Sequence, residues 1–81
     1  MIKMDRVAEF KNNVAQYTEI PAEEMTNEMR FREDLGFSSL DFMSLLGELE
    51  DTFDIELEQE DALQVRTLGE ALEMLDRLTE E

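Results

Sequence analysis

Phe31-Arg32-Glu33-Asp34-Leu35-Gly36-Phe37-Ser38-Ser39-Leu40-Asp41 runs straight into Phe42-Met43-Ser44-Leu45-Leu46-Gly47-Glu48-Leu49-Glu50-Asp51-Thr52-Phe53. The first part holds a glycine and two serines and has no apolar period, so it reads as a loop. From the end of the first part through the second, Leu40, Met43, Leu46, Leu49 and Phe53 recur at steps of three and four, and Leu45 widens the stripe. That is the period of an amphipathic helix, and it predicts one from Ser39 to about Thr52. Ser38 or Ser39 suits the N-cap, since a serine oxygen accepts from a free N–H of the first turn. Asp41 in that turn complements the positive end of the helix dipole. Gly47 costs roughly 1 kcal/mol relative to alanine inside a helix. It marks either a close approach by something at that point or a tolerated defect.

Upstream, Val7, Phe10, Val14 and Tyr17 give the same period and predict a helix from about Ile2 to Tyr17. Thr18 to Ser38 is then a connection of about twenty residues, unusually long for a compact domain. Pro21 biases Ile20 to an extended backbone, and Ala22 to Met25 has room for one helical turn. Ile20, Met25, Phe31 and Leu35 are the apolar residues available to pin this connection. Downstream, Phe53-Asp54-Ile55-Glu56-Leu57 alternates like a strand, but no other segment offers it a partner. It is better read as an extended link that turns Phe53, Ile55 and Leu57 inward. Glu58 to Leu63 predicts a short helix. Thr67-Leu68-Gly69-Glu70 has capping-box spacing, and Leu68, Ala71, Leu72, Leu75 and Leu78 follow as another amphipathic face. The expected fold is all-α: one domain over residues 1–81, three main helices plus one short helix, and a long loop between the first and second.

Charge narrows the function. Seven Lys plus Arg against twenty-two Asp plus Glu leave a net charge of −15, while 42% of the residues are hydrophobic, too many for a disordered acidic tail. Residues 1–32 hold five basic and six acidic side chains, 33–65 none and eleven, and 66–81 two and five. The acid is therefore concentrated in the middle third. A core this small gives a modest margin of stability, and self-repulsion lowers it further, so mild acid or salt should tighten the fold. Such a surface repels nucleic acid and anionic membrane, and it favours basic partners. With no Cys and no His, the chain lacks a thiolate nucleophile and the commonest general base and metal ligand. Carboxylates are plentiful, yet nothing arranges them as a catalytic pair. A calcium loop starting at Asp54 fails its own rule, with Gln59 at the sixth position and Val65 at the twelfth. The N-terminus, Met1-Ile2-Lys3-Met4-Asp5-Arg6, has no apolar signal core. These features together point to a cytoplasmic location.

Asp34-Leu35-Gly36, Ser39-Leu40-Asp41, the acidic-apolar helix after it, Glu50-Asp51-Thr52-Phe53-Asp54-Ile55 and the link Val65-Arg66-Thr67-Leu68 together resemble the acyl carrier protein family. The resemblance extends over essentially the whole chain. It implies a carrier and not an enzyme. In this family a serine at the start of the second long helix is esterified by 4'-phosphopantetheine from coenzyme A, and the arm's thiol holds an acyl group as a thioester. The reactive sulfur that the chain lacks would arrive on the cofactor. Alignment on the Leu-Gly turn and the Leu-Asp pair places the attachment at Ser39, at a helix N-terminus that tolerates a phosphodiester. The implied partners are a phosphopantetheinyl transferase and acyl-loading, condensing or transferring enzymes with basic docking patches. Their contacts would be Leu40, Asp41, Met43, Glu48 and Asp51, and steps of seven and three put the three acids near one helical face. The carrier would act as a monomer, in fatty acid, polyketide or related biosynthesis.

Three positions depart from the family pattern. Ser38 replaces the Asp that usually precedes the modified serine, Gly47 replaces a bulky apolar residue, and Ser44 replaces an acid. They point to a specialised carrier, and Ser38 adds a second candidate hydroxyl. Two other readings stand beside this one: an aminoacyl carrier of a specialised pathway, and a non-carrier acidic helical interaction domain. The apolar residues Leu46, Leu49, Phe53, Ile55 and Leu72 are read as ordinary core, because a domain this small needs all of them.

Overall fold

The computed structural model describes residues 6–79. Helix α1 spans Arg6–Ala15, α2 Ser39–Phe53, α3 Gln59–Ala62 and α4 Leu68–Thr79, and a single 3-10 turn lies at Ala22–Glu24. The described residues thus hold three long helices and one short one, and no named strand. The part of the expected first helix at Ile2 to Asp5 lies outside the described residues. At its other end the helix stops at Ala15, short of Tyr17, where Gln16 and Tyr17 donate to Asn13 O and Val14 O in a tighter closing turn.

The main core forms where α1, α2 and α4 meet. Phe10 and Val14 come from α1, Leu45 and Leu49 from α2, and Leu68, Ala71, Leu72 and Leu75 from α4. A smaller cluster of Leu46, Ala62 and Met74 seats α3 between α2 and α4. Each fully buried leucine or phenylalanine here contributes about 2 kcal/mol against the ordering entropy. The helical period also places residues outside the core. Val7, Leu40, Met43 and Leu78 all lie on the predicted stripes, yet they are exposed. Two charged or polar contacts fasten α1 to its neighbours: Arg6 pairs with Asp76 at 2.6 Å, and Asn13 Nδ2 donates to Thr52 Oγ1 at 3.1 Å.

The long connection contributes to the core instead of skirting it. Met25, Phe31 and Leu35 are buried as expected, and Ile20 packs against them half-buried. Phe37 is buried too, which the loop reading did not predict. Gly36 has φ +74°, a left-handed conformation that glycine adopts freely. It turns the chain so that Phe37 points inward and its N–H donates to Phe31 O at 2.8 Å. The same connection is strapped to the entrance of α4. Phe31 N donates to Arg66 O at 3.0 Å, Leu68 N to Met29 O at 3.0 Å and Gly69 N to Asn27 O at 2.9 Å, around an antiparallel bridge between Arg30 and Thr67.

The remaining expectations concern ends and links. Thr67 and Glu70 form the predicted capping box. Thr67 N and Arg66 N both donate to Glu70 Oε1, and Glu70 N donates to Thr67 Oγ1. After α2, Asp54 takes a left-handed conformation with φ 53° and closes the helix onto Glu50 O. The expected extended link therefore starts later than Phe53, which still ends α2: of it only Ile55 to Leu57 lie outside helix and turn, fastened where the Glu50 carboxylate accepts from Leu57 N at 2.9 Å, and Phe53, Ile55 and Leu57 all pack on the core.

Candidate functional site

The start of α2 rests on a chain of aromatic rings. Tyr17 packs on Phe37 at 5.8 Å between centroids, Phe37 on Phe31 at 5.3 Å, and Phe31 on Phe42 at 5.2 Å. The last two contacts are edge-to-face, an arrangement favoured by the ring quadrupoles. Because Phe31 and Phe37 come from the loop and Phe42 from the first turn of α2, these rings fix the turn that presents both serines.

The two serines have different duties. Ser38 is the N-cap: its Oγ accepts from Asp41 N at 3.1 Å, and its own N–H donates to Asp41 Oδ2 at 3.1 Å. Ser39 is the first helical residue, and its exposed hydroxyl plays no part in the cap. It accepts instead from Arg32 Nη2 at 2.9 Å. Arg32 lies outside the residues singled out by motif.

Beside Ser39 lies a groove of about 460 Å³. Phe31, Phe42, Met43, Leu63 and Val65 give it an apolar wall, while Arg32, Arg66 and Glu33 stand at its edge. Glu33 is tied to Arg30 at 3.2 Å. Arg30 also holds Asp34, whose Oδ2 accepts from Arg30 N and Nε at 2.8 and 3.3 Å. These two hydrogen bonds, the backbone one first, lower the Asp34 carboxyl below its ordinary value. Glu70 is lowered in the same way, chiefly by the backbone N–H groups of Arg66 and Thr67.

The expected docking residues divide between exposed and engaged. Leu40 is 80% exposed, Met43 41% exposed, and Asp51 is exposed. Asp41 is half-buried and committed to the cap. Glu48 is half-buried, and one of its oxygens, Oε2, is buried with no hydrogen-bond partner among the described residues. Burial pushes the nearby Tyr17 phenol up, and the Glu48 carboxylate and then Asp41 push it the same way. The approach of Tyr17 to Glu48 falls short of a hydrogen bond that would satisfy Oε2. Gly47 faces open space: a Cβ built there meets nothing within 4 Å, so no neighbour within the fold requires the glycine.

An exposed serine on a rigid turn, with a guanidinium at its oxygen and an apolar groove beside it, is suited to carry a flexible arm through a phosphate ester. Residues 8–75 match the family described as the phosphopantetheine attachment site. The chain belongs to that family, whose cofactor is 4'-phosphopantetheine. It is a carrier domain of the acyl carrier protein type. Among solved structures it is similar to the acyl carrier protein from Enterococcus faecalis, at 26% identity and a TM-score of 0.78, over 89% of this chain and 91% of that one. It is also similar to a proposed acyl carrier protein from Mycobacterium tuberculosis, at 28% identity and a TM-score of 0.76, over 83% and 89%.

The residues present fit the arm. Ser39 offers a hydroxyl for the ester, Arg32 a cation for the phosphate, and the groove apolar surface for the pantetheine chain. No helix among the described residues is long and apolar enough to cross a membrane.

Proposed function

We propose that the protein carries acyl intermediates of fatty acid, polyketide or related biosynthesis on a 4'-phosphopantetheine arm attached to Ser39. The observation that carries the choice of residue is the division of labour between the serines. Ser38 Oγ is occupied by Asp41 N, whereas Ser39 Oγ is exposed and among the described residues meets only Arg32. Esterifying Ser38 would compete with its cap, while esterifying Ser39 leaves the cap whole.

In attachment, a bond forms from Ser39 Oγ to phosphorus as the anhydride P–O bond of coenzyme A breaks and the adenosine bisphosphate leaves. Arg32 favours the developing negative charge on Oγ. A guanidinium does not accept a proton, so the hydroxyl proton passes to a base of the transferase. Once bound, the arm supplies the thiol that takes the acyl group. Partners with basic patches then dock on α2 beside the arm. Leu40 and Met43 give the apolar contact, and Asp51 with the partly buried Asp41 and Glu48 gives the acidic rim. Such a surface suits fast, weak encounters. In this reading residues 1–81 act as one carrier domain, as a monomer and in the cytoplasm.

The test is intact mass after incubation with coenzyme A, magnesium and a broad-specificity phosphopantetheinyl transferase. The expected result is a gain of one arm in the parent chain and in Ser38→Ala, and none in Ser39→Ala. A gain that survives Ser39→Ala moves the attachment elsewhere. No gain in folded parent protein, with this transferase or one from the protein's own source, favours the acidic interaction domain.

A further inference from the structure

Cations are scarce in this chain, and their placement near Ser39 is selective. Among the described residues Arg6 and Arg30 are in ion pairs, and Lys11 donates to Met25 O. Arg77, in the last turn of α4, is also without an ion pair there, but it does not line the groove at Ser39. Arg32 and Arg66 form no ion pair there either, although the chain has twenty-two carboxylates to choose from. Both line the groove that opens at Ser39. The backbone brings them together: Phe31 N donates to Arg66 O, and the Arg30–Thr67 bridge sits beside it. Glu33, the one acid on the same groove, is held away by Arg30, and Glu70 accepts from the N–H groups of Arg66 and Thr67 rather than from the Arg66 guanidinium.

We propose that Arg32 and Arg66 form a guanidinium clamp for the phosphodiester at Ser39, holding the root of the arm over the groove walled by Phe42, Met43 and Leu63. This rests on Ser39 being the attachment residue. Arg32 already donates to the oxygen that becomes the ester oxygen, at 2.9 Å, so a phosphate attached there meets a donor already in place. Guanidinium forks bind phosphate oxygens in pairs. The clamp also answers a problem of sign. A new negative charge added to a chain of net charge −15 raises self-repulsion unless a cation meets it. It gives the arm a resting position, from which a partner lifts it.

The test compares apo and loaded forms of the parent, Arg66→Gln and the Arg32→Gln/Arg66→Gln double variant, each loaded form verified by intact mass. In the parent at low salt, loading should raise Tm by roughly 2–5 °C, the effect of one exposed charge-assisted contact on a domain of this size. High salt should shrink that gain. In the double variant, loading should lower Tm, and Arg66→Gln should fall between. The phosphorus NMR resonance of the loaded chain should move in both variants. An apo-to-loaded shift that is the same in all three proteins overturns the clamp while leaving the carrier reading intact. If the double variant is not loaded, Arg66→Gln alone decides, since it leaves the partner of Ser39 Oγ in place. No mass gain in the parent removes the carrier reading, and the clamp with it.

Discussion

Ser38→Ala separates the cap from the proposed attachment site. The substitution deletes the acceptor for Asp41 N, a 3.1 Å bond, and leaves one of the free N–H groups of α2 to water. Ser38 is exposed and its hydroxyl makes no other hydrogen bond among the described residues, so the loss is that of the cap alone. Replacing an N-cap serine by alanine costs about 1 kcal/mol, within a range of roughly 0.5–2. For a domain of this size 1 kcal/mol lowers Tm by about 4–8 °C, against a total stability on the order of 5–10 kcal/mol. The variant should therefore unfold in one cooperative step at a lower temperature. The urea midpoint should drop while the slope m stays unchanged, because no extra surface is exposed. Ser38→Asp should recover most of the loss, since Asp caps as well as Ser. Both measurements belong at fixed ionic strength. An unchanged Tm in Ser38→Ala would show that the capping box does not hold α2. A variant of parental stability that no longer gains the arm would move the attachment to Ser38.

Two glycines inside helices should respond oppositely to alanine. Gly47→Ala should raise stability by roughly 1 kcal/mol, because its Cβ enters open space; a lower urea midpoint would contradict this. Gly69→Ala would put a Cβ 3.1 Å from Asn27 Cβ and 3.2 Å from Asn27 O, an oxygen fixed by the Gly69 N–H itself, so it should destabilise by about 1–3 kcal/mol. Leu49→Ala, at a residue 1% exposed, should cost roughly 2–5 kcal/mol, enough to bring the domain close to unfolding at room temperature by circular dichroism. A thermal series against pH should show stability rising from neutral pH into mild acid, as repulsion among carboxylates is relieved, then falling. Asp34 and Glu70 are lowered in the folded state, so their contribution is complete above the unfolded carboxyl values near 4 and is lost as pH falls through the folded ones. Stability that declines steadily from pH 7 downward would refute the first half of that curve.

Local signals carried most of the fold. The span of α2, the turn at Ala22–Glu24, the short α3 and the Thr67–Glu70 box each derive from spacing within a few residues, and each is present. Spacing does not contain which apolar residue faces another element. Leu40 and Met43 share the period of Leu46 and Leu49, yet nothing packs over the first turns of α2 on that side, and they stay exposed. Phe37 was hidden for the converse reason: its burial depends on the positive φ of Gly36 and on the ring of Phe31, both of which are properties of the folded loop. At the site, motif singled out Ser39 and Asp41 but could not divide the cap between Ser38 and Ser39, because that depends on the backbone of one residue. Arg32 and Arg66 did leave a trace. They are the two cations that bound the base-free stretch 33–65, and a search for what brackets that stretch would have found the pair that the fold brings to the groove.

The strap between the long connection and the entrance of α4 makes distant parts of the chain open together. Phe31, Leu68 and Gly69 donate across it, so their amides should exchange with solvent in one event, and they belong to one cooperative unit. The turn carrying Ser39 is therefore not free to swing by itself. Any partner that pulls this turn outward must also loosen the first turn of α4. A spectroscopic label at Glu73, an exposed residue of α4 that takes no part in its cap, would then report engagement at Ser39 from outside the proposed docking surface.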